Sequence, residues 1–186
     1  MTRLVLFLEE PSAEGMLKGL LPRILPDAVS FQCVVFEGKQ DLEKQLERKL
    51  RAWSVPGTLF AVLRDQDSAA CKAVKQKLVD ICHAAEKPQT LVRVACHELE
   101  SWYLADLTAV EQGLKINGLQ KSQGKKKYLA PDHLANPVQE LERLTSNAYQ
   151  KISGSRAIGP HLSPDNERSI SFKNFVAGVR KLTQGG

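Results

Sequence analysis

Four short apolar runs, each separated from the next by an amphipathic stretch, set the pattern of the first hundred residues. Residues 3–8 (RLVLFL), 29–36 (VSFQCVVF), 58–63 (TLFAVL) and 90–96 (TLVRVAC) read as strands. Runs this short and this uniformly apolar belong to strands covered on both faces, as in a parallel sheet. Between them, residues 13–25 carry Met16, Leu17, Leu20, Leu21 and Leu25 at helical spacing, with Ser12 as the predicted N-cap and Pro22 as a predicted kink or stop. Residues 41–53 place Leu42, Leu46, Leu50 and Trp53 on one helical face, and residues 69–85 do the same with Val74, Leu78, Ile81 and Cys82. Strand and helix alternate, which predicts right-handed crossovers and an α/β fold with a mainly parallel sheet and helices on both faces.

The pattern changes after Leu114. Loop-like basic stretches (KING, GKKK) are followed by a short helix at 137–145 and a last helix at 171–182, apolar at Phe172, Phe175, Val176, Val179 and Leu182. The predicted organisation is an α/β domain over residues 1–114 and a basic, mostly helical extension over 115–186, packed on the same domain. Charge divides at the same point. Residues 1–114 carry 14 Lys/Arg against 16 Asp/Glu, a net of −2, and residues 115–186 carry 12 against 5, a net of +7. An acidic half that holds chemistry and a basic half that meets a polyanion would give this split; a merely solvated surface would give it too.

Apolar residues make up 42% of the 186, enough for a real core. The first residues, MTRLVLFLEEPS, have a short apolar run that ends in acids, unlike a signal peptide, and no apolar stretch reaches membrane length. The expectation is a cytoplasmic protein with no membrane partner. Cys33, Cys71, Cys82 and Cys96 are widely spaced, with no CxxC pair, and read as buried free thiols.

Candidate chemistry lies at the strand ends. The third strand breaks into Arg64-Asp65-Gln66-Asp67, the first into Glu9-Glu10, and the fourth into His97-Glu98-Leu99-Glu100. In a parallel sheet all three turns share the carboxyl edge, where ligands of open α/β sheets bind. Carboxylates this close repel unless a positive charge lies between them, and a hard cation such as Mg²⁺ or Mn²⁺ is the common answer. The plainer reading is that Asp67 or Ser68 caps a helix and that Glu98 and Glu100 favour a helix dipole. A response-regulator receiver also has acids after its first strand, but it needs a small hydroxyl residue after the fourth, where this chain has Cys96-His97-Glu98. No GxxxxGK[ST] phosphate loop is present.

A Glu after the first strand and an Asp-x-Asp after a later one resemble the Toprim domain of topoisomerases, primases and related nucleases. The stretches LEEPSAEGMLKGLLPRILP, LRDQDS, HELESWYLAD, KISGSRAIGPHL and RSISFKNF are similar to a bacterial Toprim-like family known as domain of unknown function 4276. The resemblance implies an Mg²⁺-dependent nuclease acting on DNA or RNA, a subunit of an anti-phage defence system encoded beside an ATPase. It implies a catalytic acid/base at Glu9 and metal binding at Asp65 and Asp67. Glu10 stands where the Toprim pattern has glycine, so Glu9 and Glu10 are both catalytic candidates. Glu98 and Glu100 are further metal candidates, and Lys125, Lys126, Lys127, Lys151, Arg156 and Arg168 are candidates for holding nucleic acid. The competing expectation is a non-catalytic metal-binding subunit that docks on a partner ATPase or on nucleic acid.

Overall fold

The structure is a computed structural model that describes residues 2–184. In chain order the elements are β1 (Thr2–Leu8), α1 (Pro11–Leu20), β2 (Val29–Val35), α2 (Lys39–Ala52), β3 (Thr58–Asp65), α3 (Cys71–Ala84), β4 (Leu91–Ala95), α4 (Glu100–Leu104), α5 (Leu107–Leu114), α6 (Lys126–Leu129), α7 (Pro137–Leu144), α8 (Lys151–Ile158) and α9 (Ile170–Gln184). The strands form one parallel sheet in the order β2-β1-β3-β4. The expected α/β class holds: a Toprim-like parallel sheet with helices on both faces and a helical C-terminal part. The strand order reverses between β1 and β3, and such a switch point opens a crevice at the carboxyl ends of the two strands.

The strand pleat divides the core in two. Leu4, Leu6, Leu8, Ala61, Leu63 and Ala95 face a cluster built by α1, α4, α5 and α9. Val5, Phe7, Phe60, Val62, Val92 and Val94 face the opposite way, onto Leu42, Leu46 and Leu50 of α2 and Val74, Leu78 and Cys82 of α3. Residues beyond 114 enter the first cluster directly: Tyr128, Leu141, Tyr149, Ile158, Phe172, Phe175 and Val179 are all within it.

Three local differences from the sequence reading bear on the site. Pro11, not Ala13, begins α1, because proline fits the first helical position without losing a bond. Glu10 is therefore the N-cap residue, and Ser12, inside the helix, donates from Oγ to Glu10 Oε1 at 2.6 Å. Strand β3 runs two residues further than its apolar run, so Asp65 is its last residue, in register with Ala95. The stretch KISGSRAI, to which periodicity assigns no element, forms α8 and packs along α1. The helix α1 does stop at Leu20, where Leu21–Arg23 tighten into a 3₁₀ turn around Pro22. Among the described residues no helix is long and apolar enough to cross a membrane.

Candidate active site

The parallel register brings the three acidic turns to one edge. Leu8 pairs with Leu63, which sets Glu9 and Glu10 beside Arg64 and Asp65. Beyond the ladder, Gln66 N donates to Ala95 O at 2.9 Å, Asp67 N to His97 O at 2.7 Å, and His97 N to Gln66 Oε1 at 3.2 Å. Asp67 and His97 adopt positive φ, 56° and 57°, which bends both turns across the edge. On the other side, Phe36 N donates to Leu8 O and Gly38 N to Glu9 O, which draws the end of β2 and the start of α2 against β1. Gly38 caps α2 at φ 101°, a conformation that side chains rarely adopt.

Because successive residues of a strand point to opposite faces, the acids form two groups rather than one. The first is on the α2 face. Glu9 Oε2 accepts from Asp65 N at 3.1 Å and lies 3.9 Å from Arg64 Nε. Arg64 is buried and ion-paired with Glu43 of α2, which also takes Lys77 of α3. Asp67 is held by Lys39, the first residue of α2, at 2.9 Å. Burial pushes the Glu9 carboxyl above its ordinary range, the Asp65 N–H opposes that rise, and the charge of Asp67 adds to it.

The second group is on the α1 and α8 face. Lys151, the first residue of α8, pairs with Glu10 Oε2 at 2.7 Å. Asp65 is 8% exposed, and its carboxyl is pushed well up, first by burial and then by the charges of Glu10, Glu100 and Glu9. Glu100 is fully buried: Oε1 accepts from Tyr149 Oη at 2.7 Å, and Oε2 has no hydrogen-bond partner. Burial pushes the Glu100 carboxyl up to about 7 against the lowering effects of the Tyr149 bond and the Lys151 charge. Burial works against the Lys151 ammonium, but its hydrogen bond to Glu10 and the charges of Glu10, Glu100 and Asp65 outweigh it and hold Lys151 above its ordinary value.

The remaining predicted residues have other settings. Glu98 turns away from Glu100; its Oε2 accepts from Val138 N at 2.9 Å and satisfies an orphan donor in the first turn of α7. Lys127 pairs with Glu140 at 2.6 Å, beside Arg143 on the same carboxylate. Lys125 and Lys126 are exposed. Arg156 lies on α8 more than one turn past Lys151, with its backbone against Gly15 of α1. Arg168 donates from Nη1 to Ala105 O at 3.2 Å, beyond the end of α4. Sequence reasoning gave no role to Lys39, Arg64 or Tyr149. Lys39 was discoverable, because the turn after β2 reaches the same edge as the acidic turns.

The donor set suits a hard cation: carboxylate oxygens from two of the turns, like charges raising one another's carboxyls, and one buried oxygen, Glu100 Oε2, left without a partner. Among the described residues no group of three or more His, Cys, Asp or Glu side chains is arranged to hold a metal ion. Lys151 and Lys39 supply the positive charge at the two groups in this arrangement.

Comparison with solved structures finds the fold again at low identity. The C-terminal region of the Burkholderia pseudomallei OLD protein is 14% identical, with a TM-score of 0.56 over 97% of this chain and 98% of that one. The C-terminal region of the Xanthomonas campestris pv. campestris OLD protein is 13% identical, with a TM-score of 0.48 over 99% and 97%. Comparison with curated proteins gives no match. The profile of the family described as "Domain of unknown function (DUF4276)" matches residues 8–180, and the chain belongs to that family.

Proposed function

We propose that the chain is a metal-dependent Toprim-like nuclease that hydrolyses phosphodiesters of DNA or RNA, and that it serves as a subunit of a bacterial anti-phage system beside an ATPase. The observation that carries the reading is that parallel register sets Glu9, Glu10, Asp65, Asp67 and Glu100 along one sheet edge, in a group on each of its two faces. Fold likeness to the C-terminal region of the Burkholderia pseudomallei OLD protein and the Toprim resemblance support it.

Asp65, Asp67 and Glu100 would hold Mg²⁺ or Mn²⁺, and such an ion supplies charge neutralisation at the phosphate and a more acidic bound water. Lys151 holds Glu10 and Lys39 holds Asp67, and the same two ammonium groups would be placed to meet phosphate oxygens. Glu9 is the proton acceptor. Its Oε2 is engaged by the Asp65 N–H, which leaves Oε1 for a proton from water, and its raised carboxyl makes it a better base than an exposed glutamate. Arg64, 3.9 Å away and itself paired with Glu43 of α2, opposes the rise of the Glu9 carboxyl.

A second reading, a non-catalytic subunit that binds an ATPase or nucleic acid, is favoured by one observation: Lys151 and Lys39 pair with Glu10 and Asp67 and so offset their charge. Incubation of the purified chain with labelled DNA, tRNA and mRNA in Mg²⁺ or Mn²⁺, alone and with its neighbouring ATPase, separates the two. Cleavage lost in Glu9→Gln supports the nuclease. No cleavage by the wild type under any of these conditions sinks it.

A further inference from the structure

The function just proposed gives no role to the buried hydroxyl that meets Glu100. Tyr149, two residues before α8, is 1% exposed. Its hydroxyl donates to Glu100 Oε1 at 2.7 Å, and lies 3.1 Å from Ser155 Oγ and 3.4 Å from Lys151 O. Its backbone N–H donates to Thr145 Oγ1 at 3.2 Å, and its ring lies 6.0 Å from that of Tyr103. The ring passes so close to α8 that a Cβ on Gly154 would come within 2.5 Å of Tyr149 Cδ2. Ring and hydroxyl are therefore fixed from several sides.

Phenylalanine would fill nearly the same volume, so the hydroxyl is what distinguishes the residue. Its acceptor is the one fully buried carboxylate of the acid cluster, and the other oxygen of that carboxylate has no partner. A carboxylate bound at neither oxygen turns freely about its last torsion; binding one oxygen fixes the direction of the other. Carboxylates that hold metals are commonly oriented in this way, and loss of such a partner typically costs about 10–100-fold in metal affinity. The same hydroxyl lies 3.1 Å from Ser155 Oγ and 3.4 Å from the Lys151 carbonyl oxygen, so the first turn of α8 surrounds the atom that donates to Glu100.

We propose that Tyr149 is a positioning residue: its hydroxyl fixes Glu100 Oε1 and leaves Oε2 as an oriented donor for the divalent cation. This inference rests on the metal-dependent reading above. Tyr103 is the natural comparison, since it belongs to the same aromatic pair but its hydroxyl is buried with no partner.

The experiment is a calorimetric titration with Mn²⁺ of the wild type, Tyr149→Phe, Tyr103→Phe, Glu100→Gln and the double variant Tyr149→Phe/Glu100→Gln. Thermal unfolding of each is followed in EDTA. Tyr149→Phe weakens Mn²⁺ binding about 10–100-fold, whereas Tyr103→Phe binds as the wild type does. In the Glu100→Gln background Tyr149→Phe causes no further loss, because its effect passes through Glu100. Wild-type affinity in Tyr149→Phe, or an equal loss in both backgrounds, overturns the proposal while the metal-dependent reading stands. A wild type that binds no Mn²⁺ removes the metal-dependent reading and this inference with it. If Tyr149→Phe does not fold, Glu100→Gln, which keeps an acceptor for the hydroxyl, decides: a loss of about tenfold or more supports the proposal, and unchanged affinity overturns it.

Discussion

Glu100→Gln tests the electrostatics of the site without any substrate. Glu100 is fully buried, and its carboxyl is pushed up from 4.5 to about 7, chiefly by burial. Between those two pH values the folded chain keeps a proton that the unfolded chain has lost. The folded state then binds more protons, so stability falls as pH rises from 4.5 through 7 and is flat beyond. A shift of this size corresponds to about 3 kcal/mol at pH 8. The glutamine amide carbonyl still accepts from Tyr149, and no buried charge remains. In EDTA, Glu100→Gln therefore matches the wild type at pH 4.5 and exceeds it by up to about 3 kcal/mol at pH 8. That difference raises the midpoint of thermal unfolding by about 6–12 °C. Urea unfolding of both proteins at half-unit steps from pH 4.5 to 8 measures the gap. Stability curves that run parallel across that range would refute the reasoning, because they would mean that Glu100 ionises alike in the folded and unfolded chains.

Glu9→Gln slows phosphodiester cleavage by about two to four orders of magnitude and spares nucleic-acid binding, read by a gel assay of cutting and a filter assay of binding. Asp65→Asn raises the stability of the metal-free protein at pH 8, because burial and three neighbouring acids hold that carboxyl far above its ordinary 3.8. Asp67→Asn shifts stability by less than about 1 kcal/mol, because its pair with Lys39 is exposed; denaturant midpoints compare the two, and equal effects would contradict the burial difference. Neutralising Lys125 and Lys126 lowers the log–log salt slope of nucleic-acid binding by about 0.7–0.9 per lost contact, and adding Lys127→Gln changes the slope no further, since Lys127 is held by Glu140.

Much of the sheet was legible because its signals are local. Four apolar runs, three amphipathic stretches and Pro22 place their elements to within a few residues, and alternation alone implies a parallel sheet covered on both faces. Helix α8 was not legible. It spans eight residues, with Ile152 exposed, Ile158 buried and Gly154 in its middle, so it carries no stripe for periodicity to find. What makes it helical is tertiary: it lies along α1 so closely that a Cβ on Gly15 would sit 3.4 Å from Arg156 N, and at Gly159, its C-cap, the Met16 carbonyl leaves no room for a Cβ. Ser12 failed as a cap for the opposite reason, since a neighbouring local signal, Pro11, outranked it.

The site divides along the same line. That acids follow three strands is a fact of sequence, and parallel register then brings them to one edge. How each acid is used is not local. Glu98 and Glu100 are the same residue type two positions apart, yet one satisfies a donor of α7 and the other is sealed against Tyr149. The difference comes from segments 40 and 49 residues further along the chain. The basic half behaves likewise: Lys127 and Arg143 go to Glu140, Arg168 goes to a carbonyl, and of that half's cations it is Lys151 that pairs with the acid cluster. Net charge counts these residues equally, whereas the fold has already engaged half of them. Each face of the sheet edge thus pairs acids with a lysine at the start of a helix, Lys39 on α2 and Lys151 on α8. An ammonium in that position opposes the repulsion that would otherwise force the carboxylates apart, and it does so from an element that neither acidic turn belongs to.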